Sequence, residues 1–92
     1  MKAIVLYKIA AGKTREDLME VYPRHRARVD EFVAQKKIIS MGAFPEPTSD
    51  GIGSMGIFVD KASAEEFVAE DPFRLEGCVG HYDIAEFQDV MD

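Results

Sequence analysis

What most limits the folds open to this chain is a hydrophobic period that switches from two to three-and-a-half and back along its length. Residues 2–9, KAIVLYKI, alternate β-forming side chains, as a strand requires, because successive side chains leave opposite faces of the pleat. From Thr14 towards Lys37 the period lengthens. Leu18, Tyr22, His25, Val29, Phe32 and Lys36 recur at spacings of four and three, which marks one face of a helix. Thr14 with Asp17 gives that helix a start like a capping box, and Pro23 inside it predicts a kink or a restart near Tyr22, with Pro23 in the first turn of the second piece. Residues 38–44 (IISMGAF) and 53–60 (GSMGIFVD) return to strand character on either side of the turn PEPTSDG, 45–51. Ser63 with Glu66 is a capping box for a short helix to about Glu70, and VGHYDIAEFQ (79–88) is the last strand. The order is βαββαβ. In a chain of 92 residues, with room for one domain spanning 1–92, it predicts an α+β ferredoxin-like sandwich: an antiparallel four-stranded sheet with both helices on one face.

A lone sandwich of this kind should show water one side of its sheet. In the first strand, however, Ala3, Val5, Tyr7 and Ile9 fall on one face and Ile4 and Leu6 on the other, and in the third Met55, Ile57 and Val59 oppose Phe58. Both faces are apolar enough to need cover. The simplest cover is a second copy packed sheet to sheet, so a homodimer is expected.

Composition removes several functions. With 47% hydrophobic and 30% charged residues the chain is an ordinary globular one. Its net charge of −6 opposes nucleic acid and anionic lipid, both of which require clustered Lys and Arg. One cysteine, Cys78, cannot form an internal disulfide; the apolar run at the start is short for a signal peptide, and no stretch approaches a membrane span. A cytoplasmic setting with a reduced thiol is expected, without membrane attachment.

Motifs for cofactors and metals also fail on context. GIGSMG (51–56) matches the dinucleotide pattern letter for letter, but IFVD continues it as a strand where the pyrophosphate loop needs a helix N-terminus. Gly12-Lys13-Thr14 resembles the end of a phosphate loop, yet Tyr7 stands where the earlier glycine is required. Cys78 and His81, three apart on a strand, point to opposite faces with no second ligand pair nearby. No cofactor and no metal are therefore expected.

His25 and Asp71 remain. His25 lies on the apolar stripe of the first helix while Arg24, Arg26 and Arg28 point elsewhere. It is either a core histidine with one hydrogen-bond partner or a general base, which needs a carboxylate to fix its tautomer. Asp71, before Pro72, is a good N-cap for one turn of helix closed by Gly77. Pro72 also biases Asp71 towards extended backbone, fixing where its side chain points. The spacing alone does not bring the two together.

Taken in order, the apolar first strand, YPRHRARVDEF, ISMGAF, GSMGIFVDKASAEEFVAEDPF and EGCVGHYDIAEF resemble the YCII-related family over nearly the whole chain. The helical histidine and the D-P-F are the most specific parts. The resemblance implies a dimeric α+β barrel with a His-Asp dyad at a small pocket, mapping onto His25 and Asp71 with Pro72 orienting the acid. One kind of member resembles muconolactone isomerases in fold and eliminates chloride from a chlorinated hydroxyhydroquinone. For such chemistry a base takes a phenolic proton while donors hold the developing oxyanion; Arg15 and Ser54 are the candidate donors, and Tyr7, Phe44 and Phe73 a candidate aromatic wall. Three classes stay open: a cofactor-free lyase or isomerase acting on a small phenol, quinone or lactone; a haem-binding or oxygen-using relative with His25 as axial ligand; and a non-catalytic module for a metabolite or partner protein.

Overall fold

In the computed structural model, which describes residues 1–92, the strands β1 (Lys2–Ile9), β2 (Ile38–Ala43), β3 (Ile52–Phe58) and β4 (Val79–Phe87) form one antiparallel sheet in the order β2-β3-β1-β4. The helices α1 (Arg15–Ala34) and α2 (Lys61–Ala69) and the single turn α3 (Pro72–Leu75) complete the α+β sandwich. The most apolar strand, β1, is central. It pairs with β3 on one side and β4 on the other, so its odd residues Ala3, Val5 and Tyr7 are buried beneath the helices. Across β3 the same face carries Phe58, Gly56 and Ser54, the register partners of those three. Phe67 of α2 closes the core, with Phe32 of α1 edge-on at 5.2 Å between ring centres and Phe58 at 5.3 Å. Such aromatic pairs add to the apolar area they bury.

α1 starts as its sequence indicates, with both halves of the Thr14–Asp17 capping box formed. It then runs unbroken through Pro23, correcting the expected restart. Pro23 and Met19 are both exposed, so water can take the carbonyl that proline leaves without a donor, and the loss is tolerated. The buried stripe is Val21, His25, Val29 and Phe32. Tyr22, expected inside, stands at its exposed flank, because a period of 3.6 drifts away from alternating steps of four and three. Lys36 lies beyond the helix, which Gln35 ends and Lys36 terminates at φ 60°.

α2 is capped by Asp60, whose carboxylate accepts from the Ser63 backbone N–H at 2.7 Å, and Ser63 is itself buried within the helix. The expected Ser63–Glu66 capping box is therefore not the start. Asp60 follows β3 almost directly, and capping there begins the helix a residue after the cap with no slack between the two elements. GIGSMG is a hairpin segment, with Gly51 at φ 83° in the turn before β3.

The other sheet face has no cover within the chain. Ile4, Leu6, Met55 and Ile57 remain only half-buried on it, which fixes the parity that sequence left open, since Val5 faces the helices. No helix is long and apolar enough to cross a membrane.

The hydrogen bonds from Ser63 hold the Asp60 carboxyl below its ordinary value of 3.8. A carboxyl depressed by folding stabilises the fold above its unfolded pKa and loses that contribution as pH falls through the depressed value. Asp60→Ala is accordingly expected to lower the urea midpoint at neutral pH, by a margin that shrinks on acidification below about pH 4. Asp60→Asn should hold it, since Asn caps equally well. An unchanged midpoint in Asp60→Ala would return the cap to Ser63.

Candidate functional site

The segment joining α2 to α3 places one carboxylate in the centre of the molecule. Asp71 has extended backbone, φ −66° and ψ 124°, ahead of Pro72 at the first position of α3, the conformation that a following proline favours. Arg74 ties α3 back to the end of α2 by donating to the Val68 carbonyl at 2.7 Å and the Ala69 carbonyl at 2.8 Å. Beyond it Gly77, at φ 78°, turns the chain so that the Cys78 N–H reaches the Phe73 carbonyl at 2.8 Å. The result is an Asp71 side chain with no solvent exposure.

A buried carboxylate is tolerated only when its oxygens are hydrogen-bonded. Asp71 has three donors. The Tyr7 hydroxyl donates to Oδ2 at 2.7 Å; His25 Nδ1 lies 2.7 Å from Oδ1, and the Phe73 backbone N–H donates to Oδ1 at 3.3 Å. Asp71 is thus a cap and the partner of His25 at once. Because an ionised carboxylate only accepts, the contact puts a proton on Nδ1, and Nε2 is the ring nitrogen left without a protein partner. Phe73 stacks on the imidazole at 4.2 Å and 26°, and Phe67 meets it edge-on at 5.9 Å, so the ring cannot swing away. Nε2 has no partner in the chain, yet no unpaired side-chain nitrogen or oxygen is buried. It therefore opens to the cavity that His25 lines.

That cavity, of about 670 Å³, lies between α1 and the helix-side face of β1, β2 and β3. Its size falls in the range of small-molecule sites. Of the expected site residues, Tyr7, Arg15, His25, Phe44, Ser54 and Phe73 line it. Asp71 and Pro72 do not: Asp71 stands behind His25, and Pro72 follows it at the first position of α3. Ser54 sits across the β1–β3 pair from Tyr7 with its hydroxyl neither buried nor bonded within the chain. Arg15 also lines the cavity, ten residues and about 15 Å of helix axis along α1 from His25. Small residues make the floor. A Cβ on Gly56 would stand 2.7 Å from the Met41 methyl and 3.1 Å from the Phe58 ring, so the strand glycine marks a place where something else approaches the backbone.

Sequence reasoning gives Tyr7 to the aromatic wall and misses its hydroxyl. The available signal is a tyrosine among the inward residues of a central strand, since a buried phenol needs a polar partner. Burial, then the charge and hydrogen bond of Asp71, drive the Tyr7 phenol far above its ordinary pKa, against a smaller opposing effect of Arg74. It remains a donor. Burial also pushes up the Cys78 thiol, which keeps the lone cysteine of the cavity wall protonated. No three His, Cys, Asp or Glu side chains converge as a metal site; His81 is exposed beside Asp83, away from buried Cys78.

Comparison with known proteins matches residues 1–88 to the family described as the YCII-related domain. No curated protein matches the sequence. Among solved structures, the 5-chloro-2-hydroxyhydroquinone dehydrochlorinase of Burkholderia phenoliruptrix, in complex with 2,5-dihydroxybenzoquinone, is similar over 96% of this chain and 94% of its own, with 22% identity and a TM-score of 0.74. SnoaB, a cofactor-independent oxygenase of Streptomyces nogalater, is similar over 98% and 96%, with 11% identity and a TM-score of 0.64. At these identities the likeness is one of fold.

Tyr7→Phe removes one donor and leaves Asp71 Oδ2 buried without a partner. A loss of about 1–3 kcal/mol in urea unfolding at neutral pH is expected, against a change within about 0.5 kcal/mol for Tyr82→Phe at the exposed edge of the same pair. A phenol whose pKa folding raises stabilises the fold up to its unfolded value, about 10, and loses that contribution as pH climbs beyond it. The parent should therefore lose stability above that pH more steeply than Tyr7→Phe. Equal stability of the two at neutral pH would mean that the hydroxyl is not what satisfies Asp71.

Proposed function

Since this chain belongs to the YCII-related family, we propose that it is a cofactor-free enzyme acting on a small phenol, quinone or lactone, with His25 as the general base. The observation that carries this reading is the free Nε2 of a ring locked at Nδ1 by a fully buried carboxylate. Nε2 takes a proton from an acidic hydroxyl of the substrate. Asp71 stabilises the imidazolium that forms and keeps the ring aligned. The Ser54 hydroxyl donates to the oxyanion left on the substrate, and Phe73 and Phe44 flank its ring. Returned from Nε2 to a ring carbon, the proton completes an isomerisation: one O–H bond breaks and one C–H bond forms. If that carbon carries a halide, the halide leaves with its bonding pair and a second hydroxyl proton departs, for a net loss of hydrogen halide. The dehydrochlorinase of similar fold supports this direction for the chemistry.

The uncovered face of Ile4, Leu6, Met55 and Ile57 is the surface on which a second copy packs, sheet to sheet. Light scattering at micromolar concentration is expected to give twice the chain mass for the parent. Leu6→Glu should give a monomer or an unfolded chain. A monomeric parent would refute this assembly.

Asp71→Asn isolates the charge from the geometry. The Phe73 N–H favours the amide oxygen at the Oδ1 position, so the Asn variant keeps Nδ1 protonated, as ¹⁵N shifts of His25 can show. Release of chloride from 5-chloro-2-hydroxyhydroquinone is the probe reaction. His25→Ala and Asp71→Asn should each lower its rate by ~10²-fold or more, and the double variant little beyond the worse single, because the pair acts as a unit. An Asp71→Asn protein with parental rate would make Asp71 a structural cap only.

A further inference from the structure

Charge is distributed unevenly around the cavity. The charged side chains on its wall are Lys8, Lys13, Arg15 and Arg26, and no Asp or Glu is among them, in a chain that carries seventeen acids against eleven Lys and Arg. Two of the four stand apart from the rest. Arg26 is engaged by Asp30 at 3.0 Å and lies 3.4 Å from the Tyr22 hydroxyl, and half-buried Lys8 lies at the strand irregularity where β1 meets its neighbours. Lys13 and Arg15 flank the start of α1, exposed and with no ion-pair partner; the acid that Lys13 influences, Asp17, is already bound to the Thr14 backbone N–H at 2.9 Å. Lys13 and Arg15 thus bring two cations without ion-pair partners to the rim of a mostly apolar cavity, with Glu16 and Asp17 in the same turn of α1.

We infer that the cavity takes an elongated amphipathic organic anion, with its aromatic end at His25 and a carboxylate or phosphate held by Lys13 and Arg15 at the other. The inference rests on the acid–base reading for the orientation of the ligand, and it names the substrate class that this reading leaves open. Length follows from the helix. Ten residues separate Arg15 from His25, about 15 Å of axis, part of which the arginine side chain spans, so a single ring cannot reach both ends and a ring with a short tail can. Leu18 and Tyr22, between them along α1, line the cavity there, which suits a hydrocarbon body. Arg15 thereby acts on binding, and the oxyanion at the reacting end falls to Ser54.

The full chain can be titrated, with NMR following the backbone and the His25 ring, against three probes: 3-(4-hydroxyphenyl)propanoate, 2-(4-hydroxyphenyl)ethyl phosphate, and the neutral 3-(4-hydroxyphenyl)propanamide. At low salt at least one anion is expected to bind about tenfold more tightly than the amide, the effect of one charge-assisted hydrogen bond, and the tighter of the two identifies the anionic group. The preference should shrink at roughly 0.5 M salt, where screening is short-ranged. It should vanish in the Lys13→Gln/Arg15→Gln double variant and persist in His25→Ala. Equal binding of anions and amide, no binding of any probe at millimolar concentration, or a preference that survives the double variant would each overturn the inference. The acid–base reading fails separately: an anion preference with a parental chloride-release rate in Asp71→Asn leaves the ligand class standing and removes the dyad, while the converse pair of results removes only the ligand class.

Discussion

One buried negative charge organises this protein. Asp71 has no access to water, and an isolated carboxylate in such a place would be too costly to keep ionised. Its neighbours therefore bring donors from three parts of the chain: Tyr7 from the central strand, His25 from α1 and the Phe73 backbone from α3. The alignment of α1 over β1 and the docking of α3 are both tied to that carboxylate. Packing and polarity agree here, since the aromatic rings that hold His25, Phe67 and Phe73, also shield the pair from solvent.

The same arrangement divides the imidazole into two functions. Nδ1 is committed to structure and Nε2 is left for chemistry. A histidine on the buried stripe of a helix is usually spent on a single internal partner. This one is spent on its inner side only: Asp71 takes Nδ1, and Nε2 is left without a partner in the chain. The GSMG segment has a packing reason in place of the nucleotide-binding one its spelling suggests: Gly56 lets the Met41 methyl and the Phe58 ring lie against the strand.

Several features are legible in the chain of residues alone. The βαββαβ order, the Thr14–Asp17 cap and the turn character of Asp71-Pro72 all follow from local rules, each decided within a few residues of the place where it acts. Where local rules mislead, two neighbours compete for one role. Asp60 and Ser63 are both able to cap α2, and the adjacency of β3, which sequence spacing does not weigh, favours Asp60. Tyr22 and Val21 compete for the core face of α1, and the true helical period places Val21 inside. Pro23, by local rules a helix breaker, joins α1 because its site is exposed.

The sequence by itself determined which residues could do chemistry and on which element each one stood, because periodicity and capping depend on neighbours in the chain. Only the tertiary structure decided which of them meet. His25 and Asp71 are forty-six residues apart and Tyr7 and Asp71 sixty-four, separations at which no local pattern constrains geometry. Their contact is set by the register of β1 in the sheet and by how α1 crosses above it. The gathering of unpaired cations at the rim of the cavity is of the same kind. Sequence reasoning names Arg15 as a candidate donor without a position, and only the fold brings Lys13 and Arg15 together on the wall of the space into which His25 opens.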